Sequence, residues 1–321
     1  MQCDTLQRVR EWATGRGLKL AWGNPLVIGD AREEVYGRRD RGELSSLFYE
    51  TSLASAFKYA PSVEMKEVRS LIVVALPRPA HLLRFEMEEG PLDSIVPPTY
   101  VSYRAFARGI RDEIRTLVGP GAQVEIMSAP HKLVAARTGL VVYGRNNITY
   151  TKEFGSYQQI VVLATDIDPG DAVAKTRAPS MAEECTNCHV CGRSCPTGAI
   201  PEDRFLLRAE RCVTFLNEYL VPWPDWLPAS AHNCITGCMK CQESCSMNRG
   251  KLRFETLHES FTPEETTVIL GDDTGKREGP MWDRIREKLT AVGLAGLENA
   301  LSRNLRALLE AKRTASCVPQ T

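Results

Sequence analysis

Eleven cysteines mark this 321-residue chain, and nine of them lie between Cys185 and Cys245. The first four form Cys185-Thr-Asn-Cys188-His-Val-Cys191-Gly-Arg-Ser-Cys195-Pro196, the C-x2-C-x2-C-x3-C-P run of bacterial ferredoxins. In such a run three thiolates close on one [4Fe-4S] cube and the fourth serves another, while Pro196 stops a helix from continuing past Cys195. One run therefore implies a second. Cys238-Met-Lys-Cys241-Gln-Glu-Ser-Cys245 supplies three more closely spaced cysteines, and Cys212 stands alone between the two. The arithmetic assigns Cys185, Cys188, Cys191 and Cys245 to a first cluster and Cys195, Cys212, Cys238 and Cys241 to a second. Cys234 is left over, because both sets of four are complete without it. Cys3 and Cys317 stand far from the module.

Other chemistries compete for the same residues. Paired C-x2-C motifs also make four-cysteine zinc sites, but four cysteines spaced 3, 3 and 4 apart before a proline are not zinc-ribbon spacing. Cys234 could replace Cys238 as a ligand, and His189 and His232 stand near enough in sequence to tune or replace one. A disulfide framework would spread cysteines through a small secreted chain rather than gather them.

The 40 basic and 40 acidic side chains cancel, so there is no overall basic footprint for duplex nucleic acid, although a local patch can still grip a folded RNA. The longest apolar run, Leu71 to Leu76, is far below the roughly 20 residues of a membrane helix, and no apolar leader precedes Leu6. A cytoplasmic protein without a membrane partner is the expectation.

The elements that must position the cysteines are partly legible. Leu6, Val9, Trp12 and Leu18 are spaced for one face of a helix; Leu71–Leu76 and Ile160–Ala164 read as buried strands; Tyr103–Leu117 has helical spacing. The order predicts an α/β or α+β domain over residues 1–175, then a two-cluster ferredoxin-like module over 180–250. Asp168–Pro179 reads as a linker. Residues 251–321 read as a short helical region, with Thr262-Pro263-Glu-Glu opening one helix and a periodic stretch over Trp282–Lys312.

At Cys195-Pro-Thr-Gly-Ala-Ile200, Arg211-Cys212-Val-Thr-Phe215 and Gly237-Cys238-Met-Lys-Cys241-Gln-Glu-Ser-Cys245, the module resembles that of epoxyqueuosine reductase, a cobalamin-dependent tRNA-modifying family related to reductive dehalogenases. The likeness continues upstream through Ala135-Ala-Arg-Thr-Gly-Leu140, Gly144-Arg-Asn146 and Phe154-Gly-Ser156, and downstream at Ser302-Arg-Asn-Leu-Arg-Ala-Leu308. It implies a corrinoid-type first domain, with Ser128, Gly139, Leu140, Tyr143, Gly144, Arg145, Asn146, Gly155 and Ser156 around the corrin ring. The family's acid precedes a Ser-Ala-Pro segment, but here Met127 precedes Ser128-Ala-Pro130, and a thioether carries no proton. Candidate replacements are His131, Tyr143 and Glu125, and epoxyqueuosine is weakened as the substrate.

The implied activity is a reductase that passes single electrons through two [4Fe-4S] clusters to cobalamin. Its partners would be a low-potential donor such as ferredoxin or flavodoxin, and a small molecule or a tRNA as substrate. A tRNA would need a basic face, for which Arg104, Arg108, Arg111 and Arg115 share one helical stripe. Two rival readings are an electron-transfer or corrinoid-activating protein without its own substrate, and a corrinoid-free reductase that binds flavin.

Overall fold

The computed structural model describes residues 2–271 and 277–316; Cys317 lies outside them, and the Cys3 side chain is not described. Along the chain run helix α1 (Gln2–Gly15), strand β1 (Lys19–Gly23), helix α2 (Leu26–Asp40), and strands β2 (Ala60–Pro61), β3 (Ser70–Pro77), β4 (Ala80–Phe85) and β5 (Leu92–Val96). Helix α3 (Tyr103–Val118), β6 (Val124–Ser128), α4 (His131–Arg137), β7 (Val142–Tyr143), β8 (Thr149–Tyr150) and β9 (Gln158–Thr165) follow. The remainder is α5 (Val190–Arg193), α6 (Val213–Glu218), α7 (Lys240–Glu243), β10 (Phe254–Phe261), α8 (Pro263–Leu270), α9 (Pro280–Ala291) and α10 (Glu298–Ser316). Among the described residues no helix is long and apolar enough to cross a membrane.

Two compact units emerge, and neither is one continuous segment: the first holds residues 1–78 and 103–189, the second 79–102 and 190–321. These units cut across the boundaries expected near 175 and 250. Asp168–Pro179 is tied down inside the first unit rather than spanning as a free linker. Ala174 N donates to the Trp22 carbonyl at 2.7 Å and Arg177 N to the Arg137 carbonyl at 2.9 Å.

The first unit is built on a five-stranded sheet in the order β1-β3-β9-β6-β2, every pair antiparallel. The two expected buried strands are its centre, pairing Leu71 with Ala164 and Ala75 with Ile160. Every residue of β9 is buried, which is why it reads as a continuous apolar run rather than an alternating one. On one sheet face Ile72, Val74, Leu76, Val161 and Leu163 meet Val9 of α1 and Ala107, Ile110 and Ile114 of α3, the stripe that the helical spacing predicts. Helix α4 packs against β9.

The second unit has a three-stranded sheet, β10-β4-β5, in which β10 runs parallel to β4 and β5 antiparallel to it. Residues 251–321 therefore open with a strand, not a helix. The partner of β10 comes far earlier in the chain, so no local pattern announces the pairing. The core joins Leu83, Phe85 and Phe261 to Trp282, Ile285 and Leu289 of α9 and to Leu301, Leu305 and Leu308 of α10. Phe85 and Phe261 stack with centroids 5.0 Å apart, a pair contributing about 1 kcal/mol beyond its buried area.

Helix α8 starts at the expected place. Thr262 accepts from Glu265 N at 3.3 Å and returns its own N–H to the Glu265 carboxylate at 2.9 Å, a reciprocal cap. The long periodic stretch is two helices. Gly293 takes φ +72° between them, and a Cβ there would lie 2.6 Å from the Ser102 nitrogen, so the chain must turn without a side chain.

Candidate iron–sulfur centre

Cys185 ends a short turn, Glu183–Cys185, and Cys188 follows it; both belong to the first unit. Arg145 grips this loop by its backbone. Its Nε donates to the Cys188 carbonyl at 2.9 Å, and its Nη2 to the carbonyls of Cys185 at 2.9 Å and Thr186 at 3.3 Å. The guanidinium fork is suited to holding several carbonyls at once. The residue whose family likeness suggests a corrin contact is thus a clamp on the first cysteine loop.

The other candidate ligands sit in the second unit. Cys191 lies in α5 and Cys241 in α7, and these two single-turn helices pack together. Cys195 follows α5, and its sulfur accepts from Ala199 N at 3.3 Å and lies 3.6 Å from the Thr197 hydroxyl. Gly198 takes φ +62° to allow that return. Cys212 sits at the start of α6, where the N–H groups of Thr214 and Phe215 point at its sulfur. Cys238 accepts from Lys240 N and from the Asn233 amide, the latter at 3.1 Å. Gly237, just before it, takes φ +65°, and a Cβ there would lie 2.6 Å from the Tyr100 hydroxyl.

This donor set fits an iron–sulfur cluster. Cys195, Cys212 and Cys238 are close enough that a charge on one is felt by the next, and each receives the N–H bonds that a ligated thiolate uses. Burial pushes the Cys212 thiol up to about 11 and raises Cys238 as well, so metal must displace protons to bind. Among the described residues no three His, Cys, Asp or Glu side chains converge as one ion would require. That spacing is compatible with thiolates that ligate separate irons of a cube.

Cys234 is fully buried and donates its S–H to Asn233 Oδ1 at 3.1 Å. His232 is buried with its ring 4.4 Å from that of Trp223, and burial lowers its pKa to about 4. It packs as a neutral ring. His189 is half-buried in the first unit.

The other candidates all lie in the first unit. Met127 is buried on β6. His131 opens α4 with Nε2 2.7 Å from the Met127 carbonyl, and Nδ1 3.1 Å from the Ile160 carbonyl and 3.5 Å from the Tyr103 hydroxyl. Burial lowers its pKa, so the neutral ring has one N–H to give to one of these carbonyls rather than a loose proton. Glu125 is engaged by Arg115 and by the Ser62 hydroxyl at 3.3 Å. Tyr143 is buried on β7, where loss of water pushes its phenol well up, so it keeps its proton. Its backbone pairs with Ser180 and Ala182, just ahead of the first cysteine.

The corrin-side residues serve their own chain. Ser128 bonds Lys58 N at 3.0 Å and the Ala56 carbonyl at 3.2 Å. Gly139, at φ +74°, and Leu140 close the end of α4 through the Ala136 and Ala135 carbonyls. Gly144 is required because a Cβ would lie 2.6 Å from the Tyr150 ring, and Asn146 donates to the Tyr150 hydroxyl at 2.8 Å. Gly155, at φ +60°, pairs both ways with Thr151, and Ser156 is buried. These contacts do not themselves call for a corrin ring. The sequence reading missed Gln159, buried at 1% exposure. Its Nε2 donates to the Tyr103 carbonyl at 3.0 Å, and its Oε1 accepts from no described protein group. A lone Gln at a strand end gives no signal of this in sequence.

Residues 184–248 match the 4Fe-4S double cluster binding domain. The chain is 30% identical to the epoxyqueuosine reductase of Bacillus subtilis over 146 residues, 46% of this chain and 35% of the relative. It is 26% identical to that of Bacillus anthracis over 206 residues, 59% of this chain and 51% of the relative. The matched stretch thus spans a third to a half of these relatives. The solved epoxyqueuosine reductases of Bacillus subtilis and Streptococcus thermophilus share the fold, each at a TM-score of 0.64. Identities are 20% and 17%, with 97% and 95% of this chain covered, and 83% and 81% of theirs. A third solved epoxyqueuosine reductase, with a tRNA-Tyr epoxyqueuosine-modified stem loop, aligns at a TM-score of 0.64 and 19% identity, over 97% of this chain and 82% of its own.

Proposed function

We propose that the chain, which is similar to epoxyqueuosine reductases and matches the 4Fe-4S double cluster binding domain over residues 184–248, is an iron–sulfur reductase. In this reading it moves single electrons through two [4Fe-4S] clusters to a corrinoid. The observation that carries it is the group of Cys195, Cys212 and Cys238 sulfurs, each met by N–H donors, with Cys241 on a helix packed against the one bearing Cys191. Cys185, Cys188, Cys191 and Cys245 complete the other set.

Cobalamin, when bound, supplies the low-valent metal that does the reduction. Support for it comes from the fold and the family likeness, and the segment that would hold it is 128–156. The chain's own contribution there is rigidity: Arg145, Asn146, Gly144 and Gly155 lock the turns that lead into the first cysteine loop. Tyr143 keeps its phenolic proton at neutral pH, while the neutral His131 ring has a single N–H to give to one of its two flanking carbonyls. A tRNA substrate is favoured by the likeness to a tRNA-bound relative. On α3, Arg104 and Arg108 are exposed, whereas Arg111 pairs with Asp112 and Arg115 with Glu125.

An anaerobic titration of the iron-loaded protein with cobalamin tests the reading, followed by the visible spectrum alongside iron, cobalt and flavin content. Stoichiometric binding with about eight irons per chain supports a corrinoid reductase. Eight irons without cobalamin binding leaves the second reading, an electron-transfer protein, which Met127 and the engaged Glu125 favour. A yellow flavin in the isolated protein would overturn both in favour of a flavin reductase.

A further inference from the structure

We propose that Asn233 is a positioning residue for the second cluster, holding a side-chain N–H on the Cys238 sulfur and so raising the reduction potential of that cluster. The inference rests on the two-cluster reading and deepens it.

The geometry is fully specified by what surrounds the amide. Asn233 Nδ2 lies 3.1 Å from Cys238 Sγ and 3.0 Å from the Ala231 carbonyl, while Oδ1 lies 2.9 Å from Met239 N and 3.1 Å from Cys234 Sγ. The Met239 N–H can only donate and the Ala231 carbonyl can only accept, so a flipped amide would set like groups against each other. The orientation that presents N–H to the sulfur is the one the backbone enforces. The loop is itself anchored: Ile235 N donates to the Ile95 carbonyl at 2.9 Å, and the Ile235 carbonyl accepts from Asn304 at 2.8 Å. Both Cys234 and Met239 are fully buried.

Reducing a cluster adds negative charge that spreads onto its sulfurs. A hydrogen bond to a ligand sulfur is therefore stronger in the reduced state, most of all where water is excluded, and potentials of such clusters follow these bonds. Cys195 and Cys212 receive backbone N–H groups, which no side-chain substitution removes. Asn233 supplies one that can be removed. The same contacts give Cys234 a part to play: its S–H helps fill the Asn233 oxygen, which accounts for a buried cysteine outside both ligand sets.

The test is an EPR-monitored redox titration of the reconstituted full chain, with the second cluster's signal identified by its loss in Cys212→Ser. Asn233→Ala is expected to retain about eight irons and lower the second midpoint alone. The expected size is a several-fold to tenfold change in the reduction equilibrium, where tenfold corresponds to about 59 mV for one electron. Asn233→Asp, which turns an oxygen toward the sulfur, should lower it further, and Cys234→Ser should leave it in place. Full iron with an unchanged midpoint in Asn233→Ala overturns the proposal while the two-cluster reading stands. If Asn233→Ala loses iron, Asn233→Ser decides, since it keeps a polar side chain at the loop but removes the amide N–H from the sulfur: a lowered second midpoint supports the proposal and an unchanged one overturns it. Wild-type protein that cannot hold two clusters overturns the reading and the inference together.

Discussion

Arg145 donates to the carbonyl oxygen of Cys188 at 2.9 Å, so a side chain forty residues upstream of the first cysteine motif sets the path of its backbone. Replacing it by alanine strands three carbonyls, those of Cys185, Thr186 and Cys188. Arg145→Ala is expected to hold about four irons instead of about eight, through loss of the first cluster. Arg145→Lys should fall between, because an ammonium cannot fork. Iron analysis with EPR of the reduced protein reads this, and undiminished iron in the alanine variant would remove the clamp assignment.

Gly237 and Gly198 offer a paired comparison beside two candidate ligands. Both take positive φ, +65° and +62°, but a Cβ at Gly237 would strike the Tyr100 hydroxyl, whereas nothing lies within 4 Å at Gly198. Gly198→Ala should cost only the left-handed backbone term, about 1 kcal/mol. Gly237→Ala should cost more and deplete the second cluster. Thermal unfolding of both loaded variants gives the order, and equal losses would contradict it.

Asn304 spans two segments of the second unit, donating to the carbonyls of Asn217 at 2.9 Å and Ile235 at 2.8 Å. Asn304→Leu leaves both acceptors buried and unmet, at about 1–3 kcal/mol for each. The prediction is a lowered unfolding midpoint with the first cluster's EPR signal unchanged. A midpoint equal to wild type would show that the loop holds without α10.

His232 should make the protein acid-sensitive. Its folded pKa, about 4 through burial and the nearby Arg303, lies below the ordinary value near 6.5. Only the unfolded chain takes up the proton between these values, so this contribution is full above pH 6.5 and is lost as pH falls toward 4. At pH 5 the loss reaches about 1–2 kcal/mol. His232→Phe, which keeps a ring against Trp223, should flatten stability over that window in denaturant titrations. An unchanged slope would mean the ring is protonated in the fold.

The double-cluster module, matched over residues 184–248, was legible because cluster ligation is written in short spacings that any fold must honour. The same holds for the Thr262 cap, for the amphipathic α3, and for the apolar runs of β3 and β9, since each expresses a local rule. The antiparallel direction of β3 and β9 was not legible, because a strand buried on both faces looks alike in either direction.

Other features were decided by contacts between residues distant in sequence. Strand β10 lay hidden in a stretch that reads as helical, its partner β4 being supplied from far upstream. The hold of Arg145 on the carbonyls of Cys185, Thr186 and Cys188 has no local signature in sequence. The crowding of Gly144 by Tyr150 shows only in the fold. Asn233 carried no mark at all, since an amide beside a spare cysteine acquires meaning only when Met239, Ala231 and Cys238 surround it. The sequence by itself determined that the chain carries cysteine sulfurs spaced for a double-cluster module, because residue identity and spacing are local. Tertiary structure alone decided which donors surround those sulfurs, because hydrogen bonds depend on groups brought together by folding.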